Sequence, residues 1–222
     1  MLLAIDTSTA QMGLAVFDGA QVLGESMWTS RQHHTVELAP SVHELLNRCG
    51  IKVDALGCLA VAIGPGSFTS LRVGLSFAKG LAMARRIPLI GIPTLDVVAA
   101  AQPMASMPLV AVLQAGRGRL AVGWYKAGGD GWQSEGPAKV ENAESLAHSI
   151  RHPTIVCGEL HAEERQRLAR KRVNVMLSSA ANSVRRPAFL AELAWSRWQA
   201  GAVDDPAALA PIYLHSAEPV PG

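Results

Sequence analysis

The chain is short of the features that mark specialised chemistry, and each shortage narrows what its 222 residues can do. Three cysteines, Cys49, Cys58 and Cys157, form no Cys-x-x-Cys pair. That odd number supports neither a disulfide framework nor a zinc knuckle and fits a reducing compartment. No apolar run reaches the length of a membrane span. The opening Met1-Leu2-Leu3-Ala4-Ile5-Asp6 lacks a basic stretch and is cut short by its aspartate, so it does not read as a signal peptide, and a cytoplasmic location is expected. A formal net charge of +2 is too small to mark a protein whose main partner is nucleic acid. With 49% hydrophobic and 17% charged residues the chain can bury a core as one large domain or two small ones.

Familiar catalytic signatures are missing as well. The glycine-rich stretch Gly64-Pro65-Gly66-Ser67-Phe68-Thr69-Ser70 has no following lysine to reach a phosphate, so it is not a Walker A loop. It lies too deep in the domain for a dinucleotide fingerprint, and Thr69 stands at the third small position. Among seven histidines there is no His-Glu-x-x-His, and none pair at i and i+4 on a predicted helix. His33, His34 and His43 read as surface or helix-end residues. Ser67 does not sit in a Gly-x-Ser-x-Gly elbow.

What is present is strong periodicity. Leu2 to Ile5, Gly13 to Phe17 and Gln21 to Met27, joined by tight turns, predict an antiparallel meander. A helix follows over Thr35 to Arg48, then a strand over Leu59 to Ile63, the glycine loop and a helix over Ser70 to Arg86. A strand over Pro88 to Ile92 and a helix from Thr94 or Leu95 to Ala101 complete the order βββαβαβα, a mixed sheet covered by helices. The proline- and methionine-bearing Gln102 to Pro108 marks a domain boundary, giving units 1–102 and 103–222. Beyond it, strands over Leu109 to Leu113 and Leu120 to Tyr125 flank Ala115-Gly116-Arg117-Gly118, and Gly128 to Gly131 turns. Helices over Ala143 to Ile150 and Leu160 to Arg170 enclose a strand over Thr154 to Cys157, so the halves vary one plan. Pro187 opens a final helix to about Trp198, which is expected to pack back across the junction of the lobes; Pro211 to Leu214 is apolar enough to dock, and Ala217 to Gly222 is expected to be loose.

Three local features invite a functional reading. The glycine loop, with Ser67 and Thr69 able to cap the new helix, can hold an anion or be a tight, well-capped turn that holds nothing. Asp6-Thr7-Ser8 at the end of the first strand can position a magnesium ion or line phosphates, or be ordinary turn chemistry. The helix over Ser70 to Arg86 is apolar or small around most of its circumference, more than one sheet requires. Leu71, Gly74, Leu75, Ala78 and Ala82 form one face, and Val73, Phe77, Gly80 and Ala84 another. Either a partner or a third layer of the same chain covers the surplus. Arg165, Arg167, Arg170, Lys171 and Arg172 read as a solvated helix face, with RNA contact the lesser alternative.

Ala4-Ile5-Asp6-Thr7-Ser8-Thr9, Gly64 to Gly74, Pro88-Leu89-Ile90-Gly91-Ile92-Pro93-Thr94 and the closing Pro211-Ile212-Tyr213-Leu214 together resemble the TsaB (YeaZ) family. That family is the non-catalytic partner of TsaD in bacterial tRNA threonylcarbamoyladenosine (t6A) synthesis. The resemblance implies an α/β, two-lobed, actin-like (ASKHA, ribonuclease-H-like) fold with mixed sheets. TsaD carries a His-x-x-x-His metal pair after its counterpart of the Pro88 strand. Here Thr94 and Val98 fall at those positions, so no metal site and no transferase chemistry are expected. Three positions depart from the family pattern: Ser70 stands for a common glycine, Gln114-Ala115-Gly116-Arg117 for Asp-Ala-Arg, and His215 for an arginine.

The implied function is that of a scaffold or dimerisation subunit, not itself an enzyme, that binds and activates TsaD for modification of adenosine 37 in tRNAs reading ANN codons. The implied interface is on the first two helices, with Val36, Ala39, His43, Leu71, Gly74, Leu75, Ala78 and Ala82 as its residues. Homodimers through the same face are expected without TsaD, with the TsaE ATPase in the larger complex and tRNA met only indirectly. The chain itself requires no cofactor on this reading. ATP or ADP at a complex interface would meet Asp6, Thr7, Ser8, Gly64, Gly66, Ser67 and Thr69. Two alternatives stand beside it: a free-standing actin-fold ATPase or small-molecule kinase, and a glycoprotease-like metallopeptidase.

Overall fold

The computed structural model describes residues 1–30, 33–171 and 173–214. Arg172 of the basic run, His215 and the tail from Ala217 to Gly222 lie outside the described residues. The chain divides into two compact units, Met1–Val97 with Arg185–Ile212, and Val98–Val184 with Tyr213 and Leu214.

In the first unit, β1 (Leu2–Asp6), β2 (Gln11–Phe17) and β3 (Val22–Thr29) form the expected meander, and β4 (Cys58–Ala62) and β5 (Leu89–Ile92) extend it in parallel, in the order β3-β2-β1-β4-β5. Because side chains alternate along a strand, β1 feeds two cores. Leu3 and Ile5 meet Leu38, Val42, Leu45 and Leu46 of α1 (His34–Arg48) and Leu75 and Ala78 of α2 (Phe68–Arg85). Leu2 and Ala4, with Ala15 and Phe17, meet Leu190, Ala191 and Ala194 of the last helix, Pro187–Gln199. Both faces of β1 are thus fully buried, which is why its five residues read as an unbroken apolar run ending in a charge. The apolar Pro211 segment docks here too, the Ile212 amide donating to the Ile63 carbonyl at 2.7 Å.

The second unit repeats the plan with β6 (Leu109–Gln114), β7 (Leu120–Gly128), β8 (Gly131–Ser134), β10 (Thr154–Gly158) and β11 (Val175–Leu177), ordered β11-β10-β6-β7-β8. β9 (Lys139–Glu141) pairs with β7, and α4 (Ala143–Ser149) and α5 (Ala162–Ala169) cover Val110, Val112, Val122 and Val156 through Leu146 and Leu168. Again an antiparallel triplet is followed by two parallel strands. β8, β9 and β11 escape sequence reading because they are only three or four residues long, too short for an alternating period to show.

The first unit ends at Val97, inside α3 (Thr94–Ala100), rather than at residue 102, and takes back the last helix, α6. Gln102 explains the shift. Its side chain donates to the Asn182 carbonyl and accepts from Ser178 Oγ at 2.7 Å, and its carbonyl accepts from Trp132 Nε1 at 3.1 Å, so it is held by the second unit.

The cysteines sit as single residues. Cys58 and Cys157 lie within buried strands, and burial pushes both thiols up to about 12. Their thiolate fraction at pH 8 is then on the order of one in ten thousand. Ellman's reagent is expected to titrate Cys49 alone in the folded chain and all three thiols after denaturation; a second fast-reacting thiol would contradict this burial. Above the ordinary thiol value of 9.0 the unfolded thiols release protons that the folded ones keep, so stability falls as pH rises through that range.

Candidate functional site

Asp6 ends β1 below the sheet surface, and its Oδ1 accepts from the Ser8 amide at 2.8 Å, closing an Asx turn. Its Oδ2 meets Arg185 Nε in an ion pair whose two side chains are each 1% exposed. The Arg185 fork continues to Thr9 Oγ1 at 3.1 Å and the Gln11 carbonyl at 2.9 Å. Arg185 carries no sequence signal. It stands 179 positions from Asp6, and only the return of the chain to the first unit brings them together.

The glycine loop packs onto the same turn. The Ser67 amide donates to the Ser8 carbonyl at 2.7 Å, Thr7 Oγ1 donates to the Ser70 carbonyl at 2.7 Å, and Ser8 Oγ lies 2.8 Å from Thr94 Oγ1. Thr94 in turn accepts from the Gly64 amide at 3.0 Å and donates its own amide to the Gly64 carbonyl at 2.8 Å. Gly64 has φ +104°, a conformation that favours glycine. A Cβ on Gly66 would stand 2.2 Å from the Ser8 carbonyl oxygen, and one on Gly74 2.2 Å from Thr7 Oγ1. The structure therefore gathers Asp6, Thr7, Ser8, Gly64, Gly66 and Ser67 in one place and engages their polar groups with each other and with Arg185. Thr69 is exposed on another surface.

That surface is the outer side of α1 and α2. Ser67 caps α2 by accepting from the Ser70 amide at 3.5 Å, and the helix starts at Phe68, two residues earlier than expected. A groove of about 480 Å³ runs between the helices, lined by Thr35, Ala39, Phe68, Arg72, Val73 and Phe77 among others. Val36 is 68% exposed, Met83 67% and Phe68 53%, with the Arg72 guanidinium 3.7 Å above the Phe68 ring. Trp28 Nε1 donates to Glu37 Oε2 at 2.9 Å, and this hydrogen bond first, then one from Ser30, holds the Glu37 carboxyl below the usual range.

Of the eight residues expected to meet a partner, Val36, Ala39 and His43 lie exposed on α1. Leu71, Gly74, Leu75, Ala78 and Ala82 are buried against the chain's own sheet and cannot form a docking surface in this fold. An all-round apolar helix conceals which side its own sheet claims, and the small residues there accommodate β1 and Thr7 rather than a second protein. Charged residues at Gly74 and Ala78 would therefore disrupt the fold. Phe68, Arg72 and Met83 are exposed α2 residues outside the expected interface, and Val73, on the second apolar face read from the sequence, lines the groove with Phe68 and Arg72.

Elsewhere, His34 departs from a surface reading: it is buried, with Nε2 3.0 Å from the Thr9 carbonyl oxygen. Thr94 and Val98 are buried, and among the described residues no group of three or more His, Cys, Asp or Glu side chains could hold a metal ion. Gln114 donates to Glu164 Oε2 at 2.6 Å and to the Glu159 carbonyl at 3.2 Å, fastening β6 to the start of α5. In the basic run Arg165 donates to the Ser178 carbonyl, while Arg167 and Arg170 are exposed. No helix among the described residues is long and apolar enough to cross a membrane.

Residues 22–216 match the family model described as TsaD: tRNA N6-adenosine threonylcarbamoyltransferase. The chain belongs to the TsaD family. Within that family some of its relatives carry the TsaB name and others the name tRNA N6-adenosine threonylcarbamoyltransferase. The tRNA threonylcarbamoyladenosine biosynthesis protein TsaB of Bacillus subtilis strain 168 is 34% identical over 125 residues, 56% of this chain and 55% of that one. The chain spans about half the length of the curated relatives it matches. YeaZ from Pseudomonas aeruginosa superposes with a TM-score of 0.80 at 23% identity, over 96% of this chain and 99% of that one. The activator of 2-hydroxyisocaproyl-CoA dehydratase from Clostridium difficile, solved with bound ADPNP, superposes with a TM-score of 0.52 at 9% identity, over 90% and 97%. Those likenesses concern the fold, and they place this TsaD-family chain among the actin-like α/β proteins, as its sequence implied.

Proposed function

We propose that this chain is a non-catalytic subunit that binds and activates TsaD for t6A formation at adenosine 37 of tRNAs reading ANN codons. The observation that carries the reading is the apolar outer surface of α1 and α2, where Val36, Phe68 and Met83 are exposed and Phe68 lines the groove. Such side chains on adjacent helices suit burial by another helical surface. The same face would serve a homodimer when TsaD is absent. TsaE and an interface ATP or ADP belong to the larger assembly on this reading, tRNA is met through TsaD, and the chain works in the cytoplasm.

Two features support an accessory role over independent catalysis. The Asp6 carboxylate, which a free-standing kinase would turn to magnesium, is engaged by Arg185. Thr94 and Val98 offer no metal ligands to a metallopeptidase. The test is reconstitution with TsaD from the same source. The wild-type chain is expected to co-elute with TsaD and raise its t6A yield, and chains carrying glutamate on the α1–α2 face are expected to do neither. Magnesium-dependent ATP binding by the isolated chain in calorimetry would favour the kinase instead.

A further inference from the structure

The segment that re-enters the first unit is stitched to the meander residue by residue. Arg185 reaches Asp6, Thr9 and Gln11. Arg186 Nε donates to Glu25 Oε2 at 3.0 Å, and the Ala188 amide donates to Glu25 Oε1 at 3.0 Å. The Pro187 ring lies where a Cβ on Gly13 would come within 3.1 Å of it. Only then does α6 lay Leu190, Ala191 and Ala194 over the sheet. Of these contacts, the one made by Arg185 is the most deeply buried.

We infer that Asp6, Thr9 Oγ1 and the Gln11 carbonyl form a built-in guanidinium site whose resident ligand is Arg185, and that this site latches α6 onto the first sheet. The chemistry selects a fork. One acceptor is a carboxylate oxygen, met by Nε, and two are neutral oxygens that share Nη2, so two edges of one planar cation are engaged at once. The other Asp6 oxygen already accepts from the Ser8 amide, leaving a single anionic ligand atom, which is poor provision for a divalent cation. A buried carboxylate stripped of its partner is strongly unfavourable. Removing the arginine therefore leaves a vacancy of defined charge and shape. Arg185 is a positioning residue here, and it makes the closure of the β1–β2 turn independent of any added ligand.

The test is chemical rescue in the full chain. Arg185→Ala is expected to lower the midpoint of thermal unfolding by ~10 °C. Tens of millimolar methylguanidinium should recover a third or more of that loss, whereas sodium chloride or magnesium chloride at equal ionic strength should not. Asp6→Asn combined with Arg185→Ala should show no such recovery. The proposal is overturned by an unchanged midpoint in Arg185→Ala, by equal recovery with magnesium, or by recovery that persists without Asp6. Should Arg185→Ala fail to fold, Arg185→Lys keeps the charge without the fork. Amides of α6 in that variant should exchange with deuterium at least tenfold faster than in wild type while those of β6 and β10 are unchanged, and unaltered α6 protection would overturn the latch.

Discussion

Alanine in place of Gly66 is expected to destabilise the first unit by about 3 kcal/mol, at the upper end of what overpacking a well-filled interior costs. The added carbon would sit 2.2 Å from the Ser8 carbonyl oxygen, a backbone atom with no rotamer to escape into. Relief requires the glycine loop to lift from the β1–β2 turn. That movement breaks the hydrogen bond from the Ser67 amide to the same carbonyl and strains the linked contacts of Thr7 and Thr94. Urea unfolding of the variant measures the loss. Gly80, exposed on α2 with nothing within 4 Å of a Cβ, is the matched control. Alanine there should stabilise by ~0.5–1 kcal/mol through helix propensity. Equal stabilities for the two variants would show that the glycine motif is not closed on Ser8. The comparison also bears on what the motif is for, because a phosphate-cradling loop would need its small residues facing ligand, and Gly66 faces the chain's own backbone.

The second large effect is expected in binding rather than stability. Val36→Glu combined with Phe68→Glu should weaken association with TsaD by ~100-fold or more and leave the unfolding midpoint within ~2 °C of wild type. The two halves have different causes. In the free chain both side chains are mostly in water, so a carboxylate there adds little to the cost of folding. Under a partner each carboxylate must shed its hydration, a penalty of ~2–5 kcal/mol that Arg72, beside position 68, offsets only in part. Titration calorimetry supplies the affinity and circular dichroism the stability. Undiminished affinity in a folded double variant would move the interface off α1 and α2.

Residue pattern revealed the fold unevenly, and the unevenness has physical causes. β1, β4, β6 and β10 announce themselves because their residues are almost all buried and so uniformly apolar. β9 is three residues of Lys139-Val140-Glu141 paired along one edge, and its composition is that of a loop. α2 was legible as a helix but not in its orientation, since Val73 and Phe77 on its outer flank are as apolar as Leu71 and Leu75 beneath. The apolar surplus was correctly seen and assigned to the wrong side. The cut between the units could not be read from Gln102–Pro108 because it falls within α3, where the helical pattern continues unbroken. Asp6 was legible as a special position from its place at the end of an apolar strand. Its partner was not, because an arginine before a helix-opening proline looks like any solvated cation until the chain's return is known.

That return also sets an order of assembly during synthesis. The first sheet is encoded before residue 93, yet the helix covering Leu2, Ala4, Ala15 and Phe17 is not made until residues 187–199 leave the ribosome. The core of the second unit, drawn from residues 110–177, is made earlier. Growing chains thus carry a half-clothed sheet while a later-made domain closes behind it. Nascent chains halted shortly before Arg185 should display that apolar face to chaperones, and those extended past Ile212 should not.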